Sequence, residues 1–193
     1  MTRKGDWMQM FPSGQQFWPL DPRQEDICLE DVAHALSNLC RFGGQVSNFY
    51  SVAQHSVHCS EYVTEEARAV GRPHDEIERL GAQALMHDGT EAYLIDVPRP
   101  IKRNLTNYAE IETRLAEVMS ERFGIDLVNL PPEVREADER MLFTEKRDLL
   151  KPSPAPWTVA QGVSSTPYDQ RIVPWSPPYA REAFLAAART FGV

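Results

Sequence analysis

No apolar run in this chain approaches the ~20 residues that a helix needs to cross a bilayer, so an integral membrane protein is not expected. The start, Met1-Thr2-Arg3-Lys4-Gly5-Asp6, has no apolar stretch behind its charges, unlike a signal peptide. Cysteine is scarce. Cys28, Cys40 and Cys59 are odd in number and form no Cys-x-x-Cys pair, which argues against a disulfide framework and against a cysteine zinc site. The expectation is three reduced, mostly buried thiols in a cytoplasmic protein. Positive charge is outweighed: 20 Lys and Arg face 28 Asp and Glu, a net charge of −8. Grip on a nucleic-acid polymer comes mainly from cations on phosphates, so that partner is not expected. A mononucleotide needs only a few local cations and stays open. There is no internal repeat.

What is present is ordinary globular material. The 193 residues are 42% hydrophobic and 25% charged, which suits one domain, 1–193, around one core. Residues 1–25 are rich in aromatics and turn formers; Met8 to Phe11 and Gln16 to Trp18 flank Pro12-Ser13-Gly14 and predict a small hairpin or extended arm. Helical spacing then takes over. Leu29, Val32, Ala33, Leu36 and Cys40 predict a helix over about 29–41, ended by Gly43-Gly44. Ser51-Val52-Ala53-Gln54 reads as a capping box for a second helix to about Gly71. Asp75 caps a third, with Leu80, Ala84, His87 and Glu91 on one stripe. Prolines make Ile95 to Asn104 an ordered loop. Helices are expected over about 106–123 and from Pro131-Pro132 to about Leu150, and a short one closes the chain. Seven prolines mark 152–178 as irregular, and Trp157, Tyr168 and Trp175 suggest that it packs on the body. The fold class is therefore all-α with a small N-terminal extended feature.

Three helix positions are wrong for plain core packing. His55 shares a face with Val52, Cys59 and Val63; His87-Asp88 follows Leu80 and Ala84; Asp138 lies between Val134 and Met141. A buried carboxylate needs a cation or strong donors. Two imidazoles and two carboxylates from three helices can converge on a metal in a bundle, and mixed N and O ligands suit Zn, Mn, Co or Fe better than Ca. Each residue alone has a plainer explanation. An inward His is more often a hydrogen-bonded core residue, and Asp138 could pair with Arg135 or Arg147. The joint pattern is harder to explain that way. His34 and His58 read as structural, His58 with the option of supporting the site, and His74 has no role.

The order His55, then His87-Asp88, then Asp138 resembles the H…HD…D signature of HD-domain phosphohydrolases. The surrounding words are Phe17-Trp18-Pro19-Leu20-Asp21-Pro22, Arg41-Phe42, Tyr50-Ser51-Val52-Ala53-Gln54-His55-Ser56, His87-Asp88-Gly89-Thr90-Glu91-Ala92-Tyr93-Leu94 and Glu145-Lys146-Arg147-Asp148-Leu149. They are similar to bacterial 5′-deoxynucleotidases and phage dATP triphosphohydrolases over nearly the whole chain. The resemblance implies an HD-domain helical bundle that cleaves deoxynucleotides at the α-phosphorus and releases the deoxynucleoside. It implies one divalent ion (Mn, Co, Zn or Mg) on His55, His87, Asp88 and Asp138. Glu91 would act on the attacking water or the leaving oxygen. Asp96 would contact the sugar or help hold a second metal, and Arg41 and Lys102 would hold phosphate oxygens. Trp18 and Phe42 are the aromatic candidates for substrate contact, and a homo-oligomer is expected. Gln45 stands where the family commonly carries a His, and Gly43-Gly44 leave room where bulkier residues would shape a base pocket, so strict adenine selection does not transfer. The alternatives are a phosphodiesterase or pyrophosphohydrolase using the same metal site, and a nucleotide-binding sensor with little turnover.

Overall fold

The computed structural model describes residues 2–157 and 164–193. Two short strands, β1 (Met8–Gln9) and β2 (Gln16–Phe17), pair antiparallel with Met8 opposite Phe17. The hairpin expected from the aromatic arm is therefore present, and its Phe17 is fully buried against the Tyr93 ring, 4.2 Å away. Among the described residues eight α-helices follow: α1 (Leu29–Asn38), α2 (Val52–Ala69), α3 (His74–Met86), α4 (Glu91–Leu94), α5 (Arg99–Lys102), α6 (Tyr108–Phe123), α7 (Pro132–Leu149) and α8 (Pro177–Thr190). The described chain is mostly helical, as its periodicity predicts. No helix among the described residues is long and apolar enough to cross a membrane.

Two apolar clusters form the core. In one, Val32 and Leu36 of α1 meet Leu115 and Met119 of α6, Phe184 of α8 and the hairpin's Phe17. In the other, Cys59 and Val63 of α2 meet Leu80 and Ala84 of α3, and Val134, Ala137 and Met141 of α7. Each fully buried aliphatic side chain contributes about 1.5–3 kcal/mol. The second cluster thus clamps α2, α3 and α7 together, and these helices carry the candidate ligands.

Several boundaries differ from the sequence reading, each for a local reason. Helix α1 stops at Asn38, short of residue 41, because the chain turns into an antiparallel bridge between Cys40 and Ser51. The Arg41 N–H donates to Tyr50 O (2.9 Å) and the Val52 N–H to Leu39 O (3.0 Å). Arg41 is thereby pinned beside the start of α2. Ser51 caps α2 as expected, its Oγ accepting the Gln54 N–H at 3.1 Å. The other half of the capping box is absent. Gln54 instead donates to Val173 O (2.9 Å) and accepts the Trp175 N–H (2.8 Å), holding the C-terminal segment.

Helix α3 begins at His74, one residue before the expected cap at Asp75, and ends at Met86 instead of running through Glu91. Residues 87–90 form tight turns, with Gly89 N–H on Met86 O (2.8 Å) and Glu91 N–H on Asp88 O (3.0 Å). A Cβ at Gly89 would lie 2.9 Å from both Met119 Cε and Met86 O, so only glycine fits this turn. The region predicted as an ordered loop, 95–104, contains the single turn α5, with Pro100 in its first turn, where proline is tolerated. The proline-rich segment packs on the body, as its aromatics suggest. Tyr168 stacks on Tyr62 at 3.6 Å, and Trp175 lies 4.9 Å from His58. The part of that segment at 158–163 lies outside the described residues.

Candidate metal centre

The cap at Ser51 sets the first turn of α2, which carries His55 inward to full burial. His87 closes α3, and Asp88 follows it in the tight turns held close by Gly89. Asp138 comes from the apolar stripe of α7. The structure brings these four residues to one point. His55 Nε2 lies 3.3 Å from His87 Nε2, 3.3 Å from Asp138 Oδ1 and 3.6 Å from Asp88 Oδ2. His87 Nε2 lies 3.2 Å from Asp88 Oδ2 and 3.9 Å from Asp138 Oδ1. Ligands about 2.0–2.1 Å from a tetrahedral ion stand about 3.3 Å from one another, close to most of these separations.

The hydrogen bonds behind the rings decide what the centre can bind. His55 Nδ1 donates to Glu145 Oε1 at 2.6 Å, and His87 Nδ1 donates to Ala84 O at 2.7 Å. A carboxylate and a carbonyl only accept, which assigns the hydrogen to Nδ1 in both rings. In the neutral ring each Nε2 then turns its lone pair to the centre, beside two carboxylate oxygens. Four acceptors face one another, and a divalent cation satisfies all of them.

The titration behaviour points to the same demand for positive charge. Burial works against a charge on His87, but Asp88, Cys59 and Asp138 outweigh it and push the ring up to about 9. Burial and Arg41 likewise oppose charge on His55; Cys59, Glu145 and Asp138 raise it well above its ordinary range. Burial would raise Asp88, yet His87, His55 and Arg41 hold it far below the usual carboxylate range. Asp138 falls to about 2, because His55 and His87 overcome its burial. Protons on the rings and a divalent ion would meet the same charge deficit.

Arg41 and Arg99 frame the centre. Arg41, 8% exposed, donates through Nε to Glu145 Oε2 (3.1 Å) and through a terminal nitrogen to Asp88 Oδ2 (3.3 Å). Arg99 of α5 donates to Asp138 Oδ2 (3.2 Å) and Glu139 Oε2 (2.9 Å). The cation on Asp138 is thus Arg99, whereas the sequence offered Arg135 or Arg147. Arg147 pairs with Asp148.

Glu91 sits beside this cluster, buried, and its Oε2 has no hydrogen-bond partner among the described residues. Burial, then Asp88 and Asp96, raise its carboxyl well above the usual range, against the pull of Arg41 and Lys102. Burial and the two neighbouring carboxylates thus favour the protonated form of Glu91. Asp96 is raised by burial and by Asp88, while Arg41, His55 and the Phe42 N–H pull it down, so it belongs to the same electrostatic neighbourhood. Lys102 lies at the edge, its Nζ 2.5 Å from Glu112 Oε1 and 5.3 Å from the Tyr108 ring centre. Phe42 lies against Arg41 and 6.2 Å from the Trp157 ring, and Trp18 lies in the arm beneath the Arg3 guanidinium.

Three residues at the centre escaped the sequence reading. Glu145 follows Asp138 two turns later on α7 and orients both His55 and Arg41. Arg99 comes from a turn that prolines disguised. Cys59, one turn after His55 and fully buried, brings Sγ to 3.6 Å from His55 Nε2. The donor atoms of His55, Cys59 and His87 all lie within 4.8 Å of one another, so this group could hold a metal ion. The lack of a Cys-x-x-Cys pair argued against any cysteine ligand; the four-residue step from His55 was the available signal. His58 serves the tail instead of the centre, facing Gln54 (3.2 Å) and Glu61 (3.2 Å). His34 packs on Phe11, and His74 is exposed beside Glu78.

Comparison with known proteins finds two relatives. The protein YfdR of Escherichia coli (strain K12) is 39% identical over 173 residues, 90% of this chain and 89% of that one. A protein of Rhodobacter capsulatus is 35% identical over 137 residues, 69% of this chain and 66% of its own. No family model matches.

Proposed function

The chain belongs to the family of the Escherichia coli protein YfdR, and from its site we propose that it is a metal-dependent phosphohydrolase of the HD-domain type acting on deoxynucleotides. The observation that carries this reading is the convergence of His55, His87, Asp88 and Asp138 on one point, with the buried, unpartnered carboxyl oxygen of Glu91 beside it. His55, His87, Asp88 and Asp138 would hold the divalent ion. When bound, the ion polarises a phosphorus–oxygen bond and makes water a better nucleophile near neutral pH.

The chain's own residues supply the rest. Glu91 holds a proton that it can pass to the departing 5′ oxygen of the sugar, so the deoxynucleoside leaves as a neutral alcohol. Arg41, fixed by Glu145 and Asp88, adds positive charge where charge builds on the phosphate oxygens. Lys102 extends that charge from the edge. Asp96 can accept a hydrogen bond from the 3′-hydroxyl, and a neighbouring 2′-hydroxyl would compete for it, which favours deoxynucleotides. Monophosphate and triphosphate substrates would then share one product, the free deoxynucleoside.

The test is a panel of deoxynucleoside mono-, di- and triphosphates with Mn, Co, Zn or Mg, read by chromatography at early times. Deoxyadenosine and intact triphosphate from dATP are expected, with chelator abolishing the reaction. Early dAMP would replace this reading with a pyrophosphohydrolase, and metal-dependent nucleotide binding without turnover would replace it with a sensor.

A further inference from the structure

We propose that Cys59 is a direct donor to the ion at this centre and that its sulfur makes the site select zinc-like metals over manganese and magnesium. Cys59 and His55 stand on consecutive turns of α2, so one helix face presents both, and both are fully buried. The sulfur lies 3.6 Å from His55 Nε2. At a tetrahedral-like angle, a metal–sulfur bond of about 2.3 Å and a metal–nitrogen bond of about 2.0–2.1 Å separate the two donors by about 3.6 Å, and with both carboxylates bound the ion would be five-coordinate. The 3.3 Å between the two Nε2 atoms matches the nitrogen–nitrogen separation at the same ion. The hydrogen bonds to Glu145 and Ala84 turn both Nε2 atoms to this point, and the donor atoms of the two rings and the sulfur all lie within 4.8 Å of one another.

On binding, the metal–sulfur bond forms, the S–H bond breaks and the proton leaves to solvent. The thiolate enters a site already framed by Arg41 and Arg99, which offset the charge it adds beside Asp88 and Asp138. Sulfur is a soft donor, favouring Zn and Co, whereas a set of imidazole and carboxylate alone takes Mn or Mg more readily. Cys59 would therefore decide which metal the centre carries.

This inference needs the metal-binding part of the proposed function and none of its substrate chemistry, so the test reads metal directly. The full-length chain is stripped with chelator, kept reduced and titrated with Co(II). A thiolate-to-cobalt charge-transfer absorption in the near ultraviolet is expected, saturating at one equivalent. Cys59→Ser should lose that absorption while Co(II) still binds by equilibrium dialysis. Its preference for Zn over Mn should fall at least tenfold, and a Cys28→Ser/Cys40→Ser variant should keep both properties. Cys59→Ala repeats the measurement if the serine misfolds. Co(II) binding without the absorption in the unaltered chain, or an unchanged absorption and preference in Cys59→Ser, overturns the role of Cys59 and leaves the four-residue site standing. No Co(II) binding at all overturns both.

Discussion

Helix α7 carries two carboxylate clusters, one around Asp138 and one around Asp148, and they have opposite balances of donors and acceptors. At Asp148 the carboxylate receives both nitrogens of the Arg147 fork (2.7 and 2.8 Å), the Ile172 N–H (3.0 Å) and a contact from Arg171. Arg147 also donates to Tyr168 O (2.6 Å) and Gln170 O (2.9 Å), so the cluster staples the C-terminal segment to α7 and is complete in itself. At Asp138 the outer oxygen has Arg99, but the inner one faces the Nε2 atoms of two imidazoles, which carry lone pairs when the rings are neutral. A buried carboxylate with its own donors is structural. A carboxylate oxygen turned to two neutral imidazole nitrogens calls for a further cation. Burial alone, equally severe at His55 and Glu145, does not make this distinction.

An Asp→Asn change at each cluster removes charge and keeps shape. Asp138→Asn should cost about 10³-fold or more in turnover on a deoxynucleotide, because the ion's charge stabilisation goes with it; Asp148→Asn should stay within about threefold. Steady-state assays at saturating metal check both. Equal losses would mean that the two clusters do not differ in kind.

Glu91→Gln separates proton transfer from metal binding. The amide keeps the shape and loses the acid, so kcat should fall by about 10²–10³-fold with metal affinity unchanged. An unchanged kcat would remove Glu91 as the proton donor. A smaller effect is expected one step back, at Glu145→Gln. Without the carboxylate on its Nδ1, His55 becomes a poorer donor, and metal affinity should drop about 10–100-fold by titration. Affinity within twofold of the original would show that His55 needs no orientation from α7.

The least effect belongs to the staple. The Asp148 carboxyl sits at about 2 in the folded chain against an ordinary 3.8, held down chiefly by Arg147. It therefore stabilises the fold above about pH 4 and loses that contribution as pH falls toward 2, about 1 kcal/mol after solvent screening. Urea titrations across pH 2–5 should show a shallower acid loss in Asp148→Asn. Parallel curves would show that Asp148 carries no such linkage.

Much of this arrangement is legible in the sequence, and the parts that are not share a cause. Periodicity gives the principal helices and the inward faces of His55, His87 and Asp138, because it reports which side of a helix is buried. It does not report what lies across from that side. The early stop of α1 comes from the bridge between Cys40 and Ser51, and the end of α3 from the packing of Gly89 against Met119; both are tertiary events. Glu145 and Arg99 matter only through partners on other elements. Cys59 lay in plain view on the His55 face, but a search for paired cysteines passes over a lone sulfur beside two histidines.

Metal content distinguishes a cation site at Asp138 from a structural cluster. The full-length chain and its Asp138→Asn and Asp148→Asn variants are stripped with chelator, dialysed against a single divalent ion at neutral pH and analysed for metal. One tightly held ion per chain is expected in the unaltered protein and in Asp148→Asn, and little or none in Asp138→Asn. No ion in the unaltered chain, or the same content in all three, would contradict the reading of the Asp138 cluster as a cation site.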